Sequence, residues 1–291
     1  MKNTVHNPDD LGYDPDAVKI SHAATVMLID DRVGSHGTEP ELHVLMLRRN
    51  AKVVFGPDNW VFPGGRVDPE DHIDDFDRLC VGLSDHEASQ ILDIERGGLA
   101  WWIAACRETL EEAGLLLADG LAPHVDLDEL RERVRENESV FVDELLERNI
   151  TLDVSTIEEV ARFITPHGPP RRFDARFFVA QAPTDQLPHF DDGEIVNLAW
   201  MRPDDALGAW RAGDMTMMSP TVRMVECLGR FRSVPELMET ARRRLDYQRV
   251  RVVDPNGQYR VVLPGEPGYE TAELEVESGW VRLWQTPEVG I

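Results

Sequence analysis

An α/β layered fold is predicted for this 291-residue chain by three observations. Short β-prone runs alternate with segments of helical periodicity over residues 21 to 240, the pattern of helices laid on a sheet. Hydrophobic residues make up 42% and charged residues 29%, as in a soluble globular protein with ample length for a packed core. Glycine and proline clusters punctuate the runs, and neither an internal repeat nor a low-complexity tract interrupts them.

The elements follow in chain order. Residues 1 to 20 are polar, with Asn7-Pro8-Asp9-Asp10, and read as an arm. His22 to Ile29 and Glu41 to Arg48 are strand candidates, joined by a turn-rich link from Asp30 to Pro40. Asn59 to Phe62 leads into a Pro63-Gly64-Gly65 loop, and residues 72 to 98 read as one short helix plus loops. Leu99 to Ala113 is a helix, and Leu115-Leu116-Leu117 starts the strand after it. Residues 126 to 147 and 155 to 162 carry helical periodicity with dense charge. Strands are predicted at Asp174 to Ala180 and Ile195 to Trp200, and helices at Pro203 to Arg211 and Thr221 to Arg230. Residues 21 to 244 form the main domain. From 245 to 291 the character shifts to four short strand candidates, Arg249 to Val253, Tyr259 to Leu263, Glu273 to Val276 and Trp280 to Trp284, set apart by Pro-Asn-Gly and Pro-Gly turns. They predict a β-rich extension, either packed on the main domain or exchanged with a second subunit in a homodimer.

The net charge is −24, from 30 basic and 54 acidic residues. That balance opposes a nonspecific grip on nucleic acid or an anionic membrane, since both rely on Lys and Arg. Cys80, Cys106 and Cys227 are too few and too scattered for a disulfide framework or a structural zinc site, so a reducing cytoplasm is the expected compartment. No stretch approaches the ~20 apolar residues of a membrane span. Neither a secretory leader at Met1-Lys2-Asn3-Thr4 nor a peroxisomal address at Glu288-Val289-Gly290-Ile291 is read.

The chemistry is concentrated in Arg107-Glu108-Thr109-Leu110-Glu111-Glu112-Ala113-Gly114-Leu115. At ~100° per residue, Glu108, Glu111 and Glu112 fall within roughly a 100° arc, while Trp102, Ile103, Cys106, Leu110 and Ala113 gather opposite. Like charges at these spacings cost a bare helix roughly 0.2–0.5 kcal/mol per pair. A hard cation such as Mg²⁺ or Mn²⁺ removes that cost; a solvated acidic face is the alternative reading of the helix taken by itself.

Upstream stands Trp60-Val61-Phe62-Pro63-Gly64-Gly65-Arg66-Val67-Asp68-Pro69-Glu70-Asp71. Together the two segments resemble the box of the Nudix hydrolases, G-x5-E-x7-R-E-U-x-E-E-x-G-U with U apolar. Gly65 matches the first glycine, and Arg107, Glu108, Glu111, Glu112, Gly114 and Leu115 match the second half. Asp71 stands where the pattern has Glu, and Thr109 replaces an apolar residue. Thirty-five residues, 72 to 106, separate the halves where the pattern has seven, an insertion of twenty-eight. Such a split box is similar to the Nudix branch that includes the peroxisomal coenzyme A diphosphatases. Leu45-Met46-Leu47-Arg48-Arg49, Phe163-Ile164-Thr165-Pro166 and Arg172-Phe173-Asp174-Ala175-Arg176-Phe177-Phe178 resemble the same branch.

The resemblance implies an α/β/α sandwich around a mixed sheet and hydrolysis of a diphosphate with Mg²⁺ or Mn²⁺. It implies metal ligation by Glu108, Glu111 and Glu112, completed by the backbone carbonyl of Gly64, with Glu111 as base or as a shared ligand. Glu194 resembles the distant acid that supplements the box in several members. Arg107, roughly 80–100° from the centre of the acid cluster, is expected to orient a glutamate through a bidentate pair. Arg48, Arg49 and Arg172, with Arg171 and Arg176, are candidates to contact phosphate oxygens. Trp60, Phe55 and Phe173 are stacking candidates, with core packing the plainer reading. The expected substrate is a small nucleotide diphosphate, coenzyme A or an acyl ester first and ADP-ribose or a nucleotide sugar second. A Nudix-derived sensor that binds without cleaving, and a scaffold whose insertion and tail bind a partner, are the readings from other classes.

Overall fold

The structure, a computed structural model, describes residues 13–34, 39–53, 56–73, 75–118, 120–122, 125–137, 140–190, 193–253, 260–272 and 278–284. In chain order β1 (Ile20–Val33), β2 (Pro40–Arg49), β3 (Trp60–Val61) and β4 (Gly64–Arg66) come first. The insertion then contributes β5 (Cys80–Val81) and α1 (Asp85–Leu92), the latter opened by a capping box in which Ser84 and Glu87 satisfy each other's backbone N–H. The carboxylate helix α2 (Leu99–Ala113), α3 (Leu127–Glu136) and α4 (Phe141–Glu147) follow, then β6 (Leu152–Asp153), β7 (Ile157–Ile164), β8 (Arg172–Gln181) and β9 (Ile195–Met201). The chain ends with α5 (Pro203–Ala212), α6 (Ser219–Leu228), α7 (Val234–Arg242) and the short strands β10 (Gln248–Arg249), β11 (Arg251–Val253), β12 (Arg260–Val262) and β13 (Ser278–Val281).

Among the described residues nine strands form one mixed sheet, with the path β10-β13-β7-β8-β1-β2-β3, β4 on β1 and β9 on β2. β1 and β8 are parallel from Ile20↔Arg172 to Ile29↔Gln181; the neighbouring ladders are antiparallel. Alternation along the strands divides the core. Ala24, Val26, Leu28, Leu45, Leu47 and Phe178 face Trp102, Ile103, Cys106 and Leu110 of α2. Met27, Ile29, Val44, Met46, Phe177 and Val179 face Ala206, Met224 and Leu237 of α5, α6 and α7. Helices on both faces of a mixed sheet make the expected α/β/α sandwich. The three cysteines are buried and form no disulfide, and no helix among the described residues is long and apolar enough to cross a membrane.

Several elements depart from the sequence expectation. Residues 155 to 162 lie mostly in a strand, β7, because both of its faces are covered. The dense charge that suggested a surface helix is buried: Glu158 and Glu159 are 5% and 1% exposed and meet Arg244 at 3.2 Å and Arg282 at 3.4 Å. Leu115-Leu116-Leu117 starts no strand. Gly114, at φ +68°, ends α2 in the left-handed region, and the Gln186 side chain takes both backbone groups of Leu116, accepting its N–H at 2.8 Å and donating to its carbonyl at 3.0 Å. The stretch 126 to 147 divides into two helices, and α7 was not anticipated. The extension sends β13 antiparallel onto β7, with β10 beside it, while β11 and β12 pair separately. Residues 1–12, Phe55, Tyr259 and the Glu273 to Val276 candidate lie outside the described residues.

Candidate active site

The β4 strand brings the loop and the helix together. Ala24 pairs with Gly65 and Thr25 with Gly64, so the glycines pass along α2 at its acidic face. A Cβ at residue 65 would stand 2.5 Å from the carboxyl carbon of Glu108. Only a residue without a side chain permits that approach. Gly65→Ala is expected to displace Glu108 and lower turnover about a hundredfold, since a misplacement near 1 Å is enough for that. Steady-state kinetics beside a melting curve checks it: turnover should fall much further than the loss of folded protein explains.

Arg107 is the organising cation. It is 1% exposed, and its Nε and Nη2 grip Asp71 Oδ1 and Oδ2, both at 3.0 Å. Nη2 also donates to Asp68 Oδ2 at 3.2 Å and to the Arg66 carbonyl at 2.9 Å, while Nη1 donates to Glu108 Oε1 at 2.9 Å and Glu111 Oε1 at 3.0 Å. The expected bidentate pair therefore goes to Asp71 rather than to a glutamate, and two glutamates share the remaining nitrogen. Burial works to lower the guanidinium's pKa, but Asp71, Glu108 and Glu111 outweigh it and raise it above its ordinary value.

Glu112 accepts the Gly64 N–H at 2.9 Å. Its carboxyl is pushed up to about 8 by burial; the Gly64 hydrogen bond and Arg49 work against this, and Glu194 and Glu111 add to it. Burial also lifts Glu108 well above the carboxylate range, opposed by Arg107 and reinforced by Glu112 and Glu111. Carboxylates this reluctant to ionise together are what a cation would relieve.

These residues open on a cleft of about 580 Å³. Glu108, Glu112, Glu194, Gly64, Gly65 and Arg49 line one part; Phe163, Phe173, Ala175, Phe177, Pro166 and Met218 line another. Glu111 is not in the lining, being 13% exposed and held by Arg107. Glu194, expected by its resemblance to the distant acid that supplements the box, joins the cleft through an ion pair with Arg49 Nη2. The donor set is all oxygen, as a hard cation requires. Yet among the described residues no three such side chains converge tightly enough to hold an ion as they stand. Glu108 is turned to Arg107, Glu112 to Gly64 and Glu194 to Arg49, so closing on a cation means exchanging those donors for it.

Of the arginines expected at phosphate, Arg49 and Arg171 line the cleft and Arg48 and Arg172 do not. The cause is the two-residue period of a strand. Arg48 points away from its neighbour and pairs with Asp58 at 2.7 Å. Arg172 donates Nε to the Thr165 carbonyl at 3.2 Å, whereas Phe173, Ala175 and Phe177 face the cleft. Arg176 is likewise buried elsewhere and donates to the Leu92 carbonyl at 2.7 Å. Arg66, Asp68 and Thr25 line the cleft without having been singled out. The D-P-E-D run after Gly-Gly-Arg carried a signal for Asp68; nothing marked Thr25 within an apolar strand. Residues 72–98 supply no lining residue among those described.

Fold and site together define an α/β/α protein whose carboxylate helix forms the second half of a divided box. The profile of the NUDT19 Nudix domain matches residues 83–228, half of the chain. The chain is 26% identical to the acyl-coenzyme A diphosphatase NUDT19 of Gallus gallus, over 74% of this chain and 69% of that protein. It is 26% identical to the protein of the same name from Homo sapiens, over 67% of this chain and 62%, less than two thirds, of the human protein. Among solved structures, the crystal structure of a Nudix hydrolase from Alicyclobacillus acidocaldarius superposes with a TM-score of 0.63 at 26% identity, covering 77% of this chain and 97% of that one. The chain belongs to the Nudix hydrolase family, in the group described by the NUDT19 domain.

Proposed function

We propose that this protein is a divalent-metal-dependent hydrolase that cleaves the diphosphate of coenzyme A or its acyl esters. The observation that carries the reading is the union, in one cleft, of a carboxylate pole with an apolar, aromatic pole. A substrate that joins a diphosphate to a long apolar arm and a nucleoside suits both. The relatives named acyl-coenzyme A diphosphatase support the same substrate class. Glu108, Glu112 and Glu194 are the residues that would hold Mg²⁺ or Mn²⁺, with the Gly64 carbonyl by family resemblance. Such a cation supplies Lewis acidity toward the diphosphate and toward water. Arg49 places a guanidinium against the diphosphate oxygens, and Arg107 sets the orientation of Glu108 and Glu111. Glu111 takes the proton-accepting or shared-ligand role its motif position implies.

The test is a product assay with Mg²⁺ or Mn²⁺ on coenzyme A, acetyl-coenzyme A, ADP-ribose, NADH and a dinucleoside polyphosphate. Coenzyme A should give adenosine 3′,5′-bisphosphate and phosphopantetheine. Preferential cleavage of ADP-ribose moves the assignment to the second substrate class, and cleavage of none rejects the enzyme. Glu112→Gln should lower turnover by roughly 10²–10⁴-fold; an unchanged ligand response without any turnover in the parent would indicate a sensor.

A pH dependence follows from Glu112. Its folded pKa, about 8, lies above the ordinary 4.5, so its contribution to stability is present below 4.5 and is lost as pH rises toward 8. The metal requires the ionised form. Mn²⁺ should therefore raise the melting temperature more at pH 8 than at pH 6, at matched ionic strength. An equal shift at both pH values counts against Glu112 as a ligand, and no shift at either favours a scaffold.

A further inference from the structure

Resting on the function proposed above, we infer that Arg171 reads a second anionic group of the substrate, the phosphomonoester on the ribose of coenzyme A, and so favours coenzyme A over nucleotides that lack it. Three guanidiniums line the cleft. Arg49 is engaged by Glu194, and Arg66 lies 3.5 Å from Asp68. Arg171 is exposed and makes no hydrogen bond or ion pair with any described residue. In a chain of net charge −24, an uncommitted cation at a cleft wall is a place where a dianion can be accepted.

Position separates this cation from the scissile group. Gly65, against Glu108, pairs with Ala24, which pairs with Arg176. Arg171 precedes that level by five residues, roughly 17 Å at the ~3.3 Å rise of a parallel strand. An extended arginine side chain covers less than half of that length, so an anion on Arg171 is not the diphosphate beside Glu108. Between them Phe173 and Ala175 present an apolar floor that Phe177 continues one residue past that level, with Phe163 edge-on to Phe177 at 5.4 Å between ring centroids. A ribose and base fit such a floor, and coenzyme A carries its additional phosphate on that ribose.

The loop bearing Arg171 is also held in place. The Thr165 N–H donates to the Phe173 carbonyl at 2.8 Å, and the Thr165 hydroxyl accepts the Phe173 N–H at 3.0 Å. Tyr13 donates to the Gly168 carbonyl, His167 Nε2 meets Asp16 at 2.9 Å, and Pro169-Pro170 restricts the approach. A cation on a pre-ordered loop loses less freedom on binding than one on a mobile chain.

The test measures kcat/KM for coenzyme A and 3′-dephospho-coenzyme A, and the affinity of adenosine 3′,5′-bisphosphate and adenosine 5′-monophosphate, with Mg²⁺ present. Wild type should favour the 3′-phosphorylated member of each pair. Arg171→Gln should reduce that preference roughly tenfold or more, through KM, and Arg171→Lys should retain part of it. A preference absent from the wild type, or equal in wild type and Arg171→Gln, overturns the inference. A preference in binding without cleavage of either coenzyme rejects the proposed function and sustains the role of Arg171. Cleavage of both coenzymes with equal efficiency does the reverse.

Discussion

Replacing Arg107 by glutamine is expected to destabilise the protein by about 3–5 kcal/mol and to remove nearly all turnover, because it leaves buried carboxylates without their counter-charge. Asp71 is 2% exposed, Glu108 14% and Glu111 13%, and Arg107 reaches all three. Glutamine cannot supply the positive charge, and its one amide cannot match the fork on Asp71. Lysine keeps the charge but not the geometry, so Arg107→Lys should fall between the two. Urea unfolding with and without Mn²⁺ measures the stability, and initial rates measure the chemistry. If Arg107→Gln unfolds within 1 kcal/mol of the parent, the guanidinium does not hold the site as described. Replacing Asp71 by asparagine in the same background should recover part of the loss, since one of the stranded charges is then gone.

The same arginine shows what was legible in the sequence. Its pairing with an acid could be anticipated from its place in the box, and the helix around it was bounded correctly at Leu99 and Ala113. Apolar periodicity and the terminating glycine sufficed there because local and tertiary preferences agree. The choice of Asp71 as the bidentate partner was not legible. It depends on a contact across thirty-six residues, and on the 3₁₀ turn Pro69–Asp71 that aims the carboxylate inward. Asp71 standing where the family pattern has glutamate carried the only trace of it.

Side-chain direction was the other limit. Arg48 and Arg49 are adjacent and were treated alike, yet one meets Asp58 outside the cleft and the other meets Glu194 within it. The same parity separates Arg172 from Phe173. A strand's alternation is certain, but its phase is decided by which face the core covers, and here both faces are covered. The divided box has a related lesson. Its insertion is what distinguishes this chain from the short box, and specificity would be sought there first. The described cleft instead takes its apolar wall from β7, β8 and the loop between them, and that wall is where differences in substrate preference should be sought.

The insertion is tied to the opposite side of the molecule, and the tie sets the second large effect. Glu159→Leu is expected to destabilise the protein by about 3–5 kcal/mol. Glu159 has a fully buried side chain facing Arg176 at 3.7 Å and Arg282 at 3.4 Å, and it accepts the Tyr247 hydroxyl. Arg176 reaches from β8 to the Leu92 carbonyl at the end of α1, while Arg282, beyond β13, reaches the neighbouring Ile91 carbonyl at 3.5 Å and stacks over Tyr247. Without Glu159, two guanidiniums of 5% and 10% side-chain exposure retain carbonyl dipoles but no full counter-charge. Equilibrium unfolding reads the loss; burial raises the carboxyl's pKa, and Arg282 and Arg176 work against that rise. Hydrogen exchange should quicken first in α1, because its last carbonyls depend on these arginines. The compensating change is informative: Glu159→Leu combined with Arg282→Met should recover a measurable part of the deficit, as buried ion clusters replaced by apolar groups often do. Additive losses in that double variant would mean that Glu159 and Arg282 act independently, and that the extension does not hold the insertion through this carboxylate.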